Sequence, residues 1–318
     1  MYRSRYAVIA ASVIAVSASL WSQFGNASCG GAFCTVNTQW ETQGVWTEPG
    51  WRLDLRYEYI DQDQLRSGTA KVEPAGVPDT HDEIRTLNRN LILGLDYAID
   101  QRWGLALQLP LVSRDHTHVH NDAPPETETW NIQAIGDMRA LGRYQAKHGE
   151  AVSGAQFGLK LPTGPFDETN DQGVAAERSV QPGSGTTDLL LGAYYTRRPG
   201  GSDVTWFAQA LWQRPLAERD DYAPGQRVGA DVGMRYALNR GVSAQLQLNA
   251  LWKDRDRGAN AEPDDSGGRY LYLSPGASAA VGTNLQVYGF VQLPLYQYVN
   301  GTQLTADWSV AAGLNWLL

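Results

Sequence analysis

His116, His118 and His120 stand two residues apart. On a continuing strand that spacing would aim all three imidazoles one way, about 6–7 Å apart. Neighbouring imidazoles can ligate a transition metal, so the trio is a candidate metal site; a solvated outer loop is the plainer reading. A second set of residues is charged and recurs at alternate positions: Arg52, Asp54, Arg56, Glu58, Asp96, Asp137, Arg139, Arg143, Lys160, Asp188, Asp231, Arg235, Lys253 and Asp307. Both signs are present. Facing a common interior, such residues either pair and stiffen it, because buried charge is costly when unpaired, or line a water-filled path and set its selectivity. Cys29 and Cys34 are the two cysteines. In an oxidising compartment they read as a small disulfide loop, with a metal or redox pair as the alternative. Their spacing is not that of a CxxC site. Asp167, Asn170 and Asp171, and separately Asp264 and Asp265, are oxygen-rich clusters of the kind that bind calcium, without a specific pattern. Ser113 and His116 fall on opposite faces of one strand, and no nucleophile-elbow motif is present, so a serine hydrolase is poorly supported.

The elements that must position these residues are strands. In Val242 to Lys253, one face carries Val242, Ala244, Leu246, Leu248, Ala250 and Trp252, and the other Ser243, Gln245, Gln247 and Asn249. Successive strand side chains point to opposite faces, so one face is apolar and one polar. Residues 304–318 repeat the pattern, with Trp308, Val310, Leu314 and Trp316 opposite Asp307, Ser309 and Asn315. Weaker copies place strands near 50–61, 86–99, 103–114, 134–146, 152–162, 186–198, 203–214, 226–238, 242–254, 269–281, 284–298 and 304–318. Most reach the roughly 9–11 residues that a tilted strand needs to cross a membrane, against about 5–6 for an ordinary strand. Tight turns alternate with long polar connections near 62–85, 115–133, 163–185, 215–225 and 255–268. Short periplasmic turns and long outer loops mark outer-membrane barrels. Trp51, Tyr97, Trp103, Tyr144, Tyr195, Trp206, Tyr236 and Trp316 all fall at the periplasmic ends in the apolar phase, where aromatic rings favour the interface. A partial outer set is Tyr59, Trp212, Trp252 and Trp308. The expected fold is an all-β, transmembrane, antiparallel up-and-down barrel of about twelve strands.

The remaining organisation follows. Arg3 and Arg5, an apolar stretch over residues 6–20, and Gly25-Asn26-Ala27 form a secretory leader cut after Ala27. Residues 28–49 would then be a short periplasmic segment carrying the cysteine pair, and residues 50–318 the barrel. Mean hydropathy is −0.38 and no long apolar run follows the leader, which excludes a helical membrane protein but not a barrel. Net charge is −8. Loss of Arg3 and Arg5 makes the mature chain about −10, so no basic face invites nucleic acid.

Ile135-Gly136-Asp137, Leu161-Pro162-Thr163-Gly164 and Gly183-Ser184-Gly185-Thr186-Thr187-Asp188 occur in that order, each opening or closing a strand. In these motifs the chain resembles the outer-membrane barrels described as the MetA-pathway of phenol degradation family. The resemblance covers most of the barrel. It implies a transporter, taking up small aromatic or hydrophobic compounds. Fatty-acid-transporting cousins carry an N-terminal plug; about twenty residues between leader and first strand are few for one. The motif residues themselves read as structural. The glycines of 183–185 permit tight entry into a strand, and Pro162 ends ladder pairing.

The expected function is passage of a small solute through the outer membrane of a Gram-negative bacterium. The alternatives are a sealed receptor or structural barrel with acidic, metal-binding outer loops, and, in third place, an outer-membrane hydrolase. The partners expected are outer-membrane lipid, a small-molecule solute and the barrel-assembly machinery, with no nucleic acid and no cofactor.

Overall fold

The computed structural model describes residues 28–29, 34–44, 48–78 and 80–318. The leader over residues 1–27 lies outside them. The described strands are β1 (Ser28–Cys29), β2 (Gly50–Gly68), β3 (Ala70–Lys71), β4 (His81–Ala98), β5 (Trp103–His120), β6 (Glu126–Ile135), β7 (Met138–His148), β8 (Ala151–Leu161), β9 (Asp188–Arg197), β10 (Val204–Pro215), β11 (Arg227–Ala237), β12 (Val242–Lys253), β13 (Gly268–Val281) and β14 (Leu285–Leu317). Wall neighbours pair antiparallel, and the ring closes because β14 serves twice. Its first half pairs with β13 and its second half with β2. β6 pairs with the outer half of β5 and β7 with the inner half, so β6 and β7 are one interrupted crossing. Eleven wall elements close the ring, β14 crosses twice, and the wall is passed twelve times. No backbone edge is left open, as a hydrocarbon surrounding demands.

The polarity is inverted relative to a soluble sheet. In β12, Gln245, Gln247 and Asn249 are buried inside while Leu246 and Leu248 face outward. The periplasmic aromatic girdle forms as the sequence implies: Trp51 stacks on Tyr97 at 4.3 Å and Trp103 lies 4.8 Å from Tyr144, with Tyr195, Trp206, Tyr236 and Trp316 exposed beside them. At the outer level Tyr59 stacks on Trp308 at 5.6 Å.

The first strands run further than expected. β2, β4 and β5 hold 19, 18 and 18 residues. Outward positions on β5 are Leu105, Leu107, Leu109 and Leu111, then Ser113, Asp115 and Thr117. The outward pairs Arg89–Asp115 and Arg85–Asp61 sit above the same level. The apolar band therefore ends near Leu91 and Leu111, and the wall continues beyond the membrane. Residues 62–68, 81–85 and 115–120 belong to this extension and not to loops. Hydrophobic alternation ends where lipid ends, which is why periodicity alone cut these strands short.

Asp307 is a correction. Two register shifts, between Thr305/Ala306 and Ala306/Ser309, put Asp307 and Trp308 both on the outside. Such a bulge reverses the phase beyond it. Asp307 thus pairs with Lys71 at 2.7 Å on the outer surface and is not in the lumen.

Residues 34–44 are a second correction. They do not form a periplasmic segment; they run inside the barrel. β1 lies parallel to β14 beside Gln303 and Leu304 near the outer end. Cys34 meets Glu58 and Ser309 at mid-height, and Gln43 meets Thr196 near the periplasmic rim. An extended chain spans about 3.3–3.6 Å per residue, so this short strap crosses the lumen where a globular plug of that length would not.

Gly158 shows how closely the wall is set: a Cβ there would lie 2.0 Å from the Ala140 carbonyl oxygen of β7. Gly158→Ala is expected to destabilise the barrel by at least about 1–3 kcal/mol, read as a lower temperature for loss of the compact, heat-modifiable gel band.

Candidate functional site

The three sequence motifs meet in one place. The ladder between β5 and its partner is interrupted at Gly136 and Asp137, where the Gly136 amide bonds the Pro110 carbonyl at 2.7 Å. Asp137 thereby turns inward. Its carboxylate accepts from Lys160 Nζ (2.6 Å), Ser184 N (3.0 Å), Ser184 Oγ (2.9 Å) and Gly164 N (3.2 Å). Lys160 also donates to the Thr186 carbonyl at 2.9 Å and lies 3.4 Å from Asp188. Thr163 Oγ1 donates to the Gly136 carbonyl and accepts from Met138 N, each at 2.8 Å. Gly164 and Gly183 touch through bare backbone; a Cβ on Gly183 would lie 2.2 Å from the Gly164 oxygen. Asp137, Lys160 and Asp188 are thus one buried structural knot.

The other charged residues mostly face the lumen, and many of them in pairs. Arg52 and Arg143 share Asp96, at 3.3 and 2.8 Å, and Arg52 lies 3.7 Å from Glu41. Arg56 pairs with Glu58 at 3.0 Å. Asp54 accepts from Tyr288 Oη at 2.9 Å, and Asp231 from Asn249 at 2.7 Å. Lys253 pairs with Asp256 at 2.9 Å in the mouth. Arg139 is half-buried within electrostatic reach of Arg56, Arg227, Asp188 and Glu58. Arg235 is half-buried near the periplasmic rim.

Sequence reasoning missed the amides that hold the strap. Gln247 exchanges two bonds with the backbone of Asn37, at 3.0 and 2.9 Å. Gln209 accepts from Asn37 Nδ2 and Thr42 Oγ1, and Gln39 Oε1 accepts from Gln156 and Gln209. An amide both donates and accepts, so a ring of them can satisfy a peptide as another strand would. Their signal was present as the polar phase of β8, β10 and β12, but no charge marked it. Trp40 is fully buried, edge-on to Tyr288 at 5.0 Å and beside Phe290 and Val36. Among the described residues Cys34 has no disulfide partner, and its Sγ lies 3.3 Å from Ser309 Oγ. It lies within the lumen, and the side chain of Cys29 falls outside the described residues.

The strap leaves a small cavity of about 50 Å³ against β2, β4, β5 and β7, on the periplasmic side. Arg52, Asp96, Arg143 and Glu41 form its polar wall, and Ile92 and Leu141 an apolar one. The opposite mouth is capped. The connection over residues 162–187 folds in, with Val180 and Ala176 packed on Trp130, Ile132, Leu65 and Leu304. Arg114 reaches the carbonyls of Val180 and Gln181.

His116 and His118 are buried on the inward face of β5, with His120 half-exposed beyond them. His116 Nδ1 lies 2.8 Å from Thr86 Oγ1, while His118 and His120 approach Glu128 at 3.1 and 3.3 Å. Ser113 is on the opposite face. The oxygen-rich loop residues are engaged by the backbone: Asn170 Oδ1 accepts from the amides of Gln172 and Val174 in its own turn, and Asp265 from Thr302 N of β14 at 2.7 Å. Asp264 pairs with Arg255 at 3.4 Å.

With this geometry in view, comparison with known proteins is direct. The family model described as "Putative MetA-pathway of phenol degradation" matches residues 101–310. The chain belongs to that family. The three motifs forming the knot lie within the matched stretch. No curated protein sequence matches the chain. Among solved structures, the COG4313 outer membrane channel from Pseudomonas putida F1 is similar, with 16% identity and a TM-score of 0.63 over 86% of this chain and 97% of that one. A FadL homologue of Pseudomonas aeruginosa is more distant, with 9% identity and a TM-score of 0.42 over 86% and 91%. The former likeness shows the fold.

Asp137→Ala would leave the Lys160 ammonium buried with Asp188 alone. The expected loss is about 3 kcal/mol in urea unfolding of the folded barrel. Lys160→Met in the same chain should restore part of it, so the double variant costs less than the sum of the singles.

Proposed function

We propose that the protein is a passive channel in the outer membrane of a Gram-negative bacterium, carrying a small aromatic solute with a polar substituent. The observation that carries this reading is the row of Arg52, Asp96 and Arg143 facing the lumen beside a gap that the strap leaves against the wall. The free space there is about 50 Å³, room for little more than a water or two, so a ring would enter only as the strap shifts. Ile92 and Leu141 offer an apolar surface for a ring, and Arg52, Arg143 and Asp96 offer hydrogen bonds to a hydroxyl or carboxylate. The family description, which refers to phenol degradation, is consistent with such a solute. The apolar band and aromatic girdles fit lipid of the outer membrane, and the barrel-assembly machinery is the partner that such a fold requires.

A second reading is a sealed receptor or structural barrel. The strap across the lumen and the loop over the mouth favour it. In both readings the strap is the constriction, and one measurement separates them. Folded protein in a planar bilayer should conduct ions steadily, with a selectivity that moves toward cations on Arg52→Gln, Arg56→Gln and Arg143→Gln. Deleting residues 34–44 should raise the conductance several-fold. A tight seal from demonstrably folded protein, with or without the strap, would overturn the channel.

A further inference from the structure

Four of the five histidines gather at the outer mouth, leaving only His148 at a periplasmic turn. His81 and Glu83 come from β4, His118 from β5, and Glu177 from the capping loop. One ligand atom from each lies within 4.8 Å of the others. His81 Nε2 is 2.9 Å from Glu177 Oε1 and 3.8 Å from Glu83 Oε1. Tetrahedral ligands about 2.0–2.1 Å from zinc stand roughly 3.3 Å apart, so small side-chain rotations would close the set.

The orientation of His118 is the deciding observation. Its Nε2 faces Glu128 Oε2 at 3.1 Å. A carboxylate there holds the proton on Nε2 and leaves the Nδ1 lone pair free. Nδ1 is buried and has no hydrogen-bond partner among the described residues. Carboxylate, imidazole, then metal is the usual support of a ligating histidine. Trp130 meets the His118 ring edge-on at 4.6 Å and fixes its plane. Glu83 is buried, and neither of its oxygens makes a directed hydrogen bond, although His116 Nε2 stands 3.4 Å away.

We propose that a divalent transition metal of the zinc class binds His81, Glu83, His118 and Glu177 and clamps the 162–187 loop to the wall. Two nitrogens and two carboxylate oxygens select such an ion over magnesium or calcium. The ligand set differs from the His116, His118 and His120 trio. His116 supports Glu83 from outside the set, and His120 forms with Glu128 a second, more exposed group that meets the first at the shared His118. The clamp accounts for why two of the ligands come from β4 and one from a loop far along the chain.

The test uses tag-free, folded full-length protein in detergent, stripped with chelator and titrated with Zn²⁺ by calorimetry. Bound metal is then counted by elemental analysis after gel filtration. One equivalent is expected. Cobalt in its place should give the intense visible bands of a tetrahedral site. His81→Ala and Glu83→Gln should each weaken binding at least about 100-fold, with heat-modifiable migration showing that both variants fold. Zn²⁺ should also protect the bond after Arg178 from trypsin in the parent and not in Glu83→Gln. No stoichiometric uptake by the folded parent overturns the site. So does binding that survives both substitutions, or that is lost only in His120→Ala.

Discussion

The Asp137 carboxylate is the constraint on which the rest of the outer half depends. It collects a lysine, a serine hydroxyl and two backbone amides from residues 160–164 and 184, both well removed from Asp137 in sequence. A buried carboxylate with that many donors has few other places to be. Its inward turn breaks the β5 ladder at Gly136 and splits one crossing into β6 and β7. It also anchors both ends of the capping loop, because Gly164 opens that loop and Ser184 closes it. The loop then has little freedom but to lie across the mouth, where Val180 packs on Trp130 and Glu177 reaches His81.

The inner half is organised differently. There the lumen is held by many neutral amides and a few ion pairs, with the strap as their common partner. Neutral amides satisfy a peptide without the large desolvation cost of charges. The charges are concentrated on the side of β2, β4 and β7, where Arg52, Asp96 and Arg143 form a row beside the cavity. The cross-section is therefore divided into a closely filled, amide-rich side and a charged side that keeps a small gap.

Much of the fold was legible because lipid enforces strict alternation. Each of the twelve crossings is present, and the periplasmic aromatic residues stand at the expected level. What alternation could not show is whatever lies beyond lipid or breaks period two. The extensions of β2, β4 and β5 have no apolar face to the outside, so they read as loops. The bulge at Ala306 displaced Asp307. The lumenal charges were found because charge is conspicuous at alternate positions, but Gln156, Gln209 and Gln247 look like ordinary strand polarity. His81, Glu83 and Glu177 come beside His118 only through register and loop placement, neither of which a single sequence encodes locally.

The strap contacts β10, β12 and the seam between β14 and β2. The first residues of the described chain thus rest on strands that leave the ribosome last. Its binding surface exists only after those strands have aligned, and contacts of such sequence separation form late. An assembling barrel consequently passes through a stage in which the wall is partly built and the lumen still empty. Filling the lumen and sealing the seam then become one event, so a complete interior reports that the circle has closed.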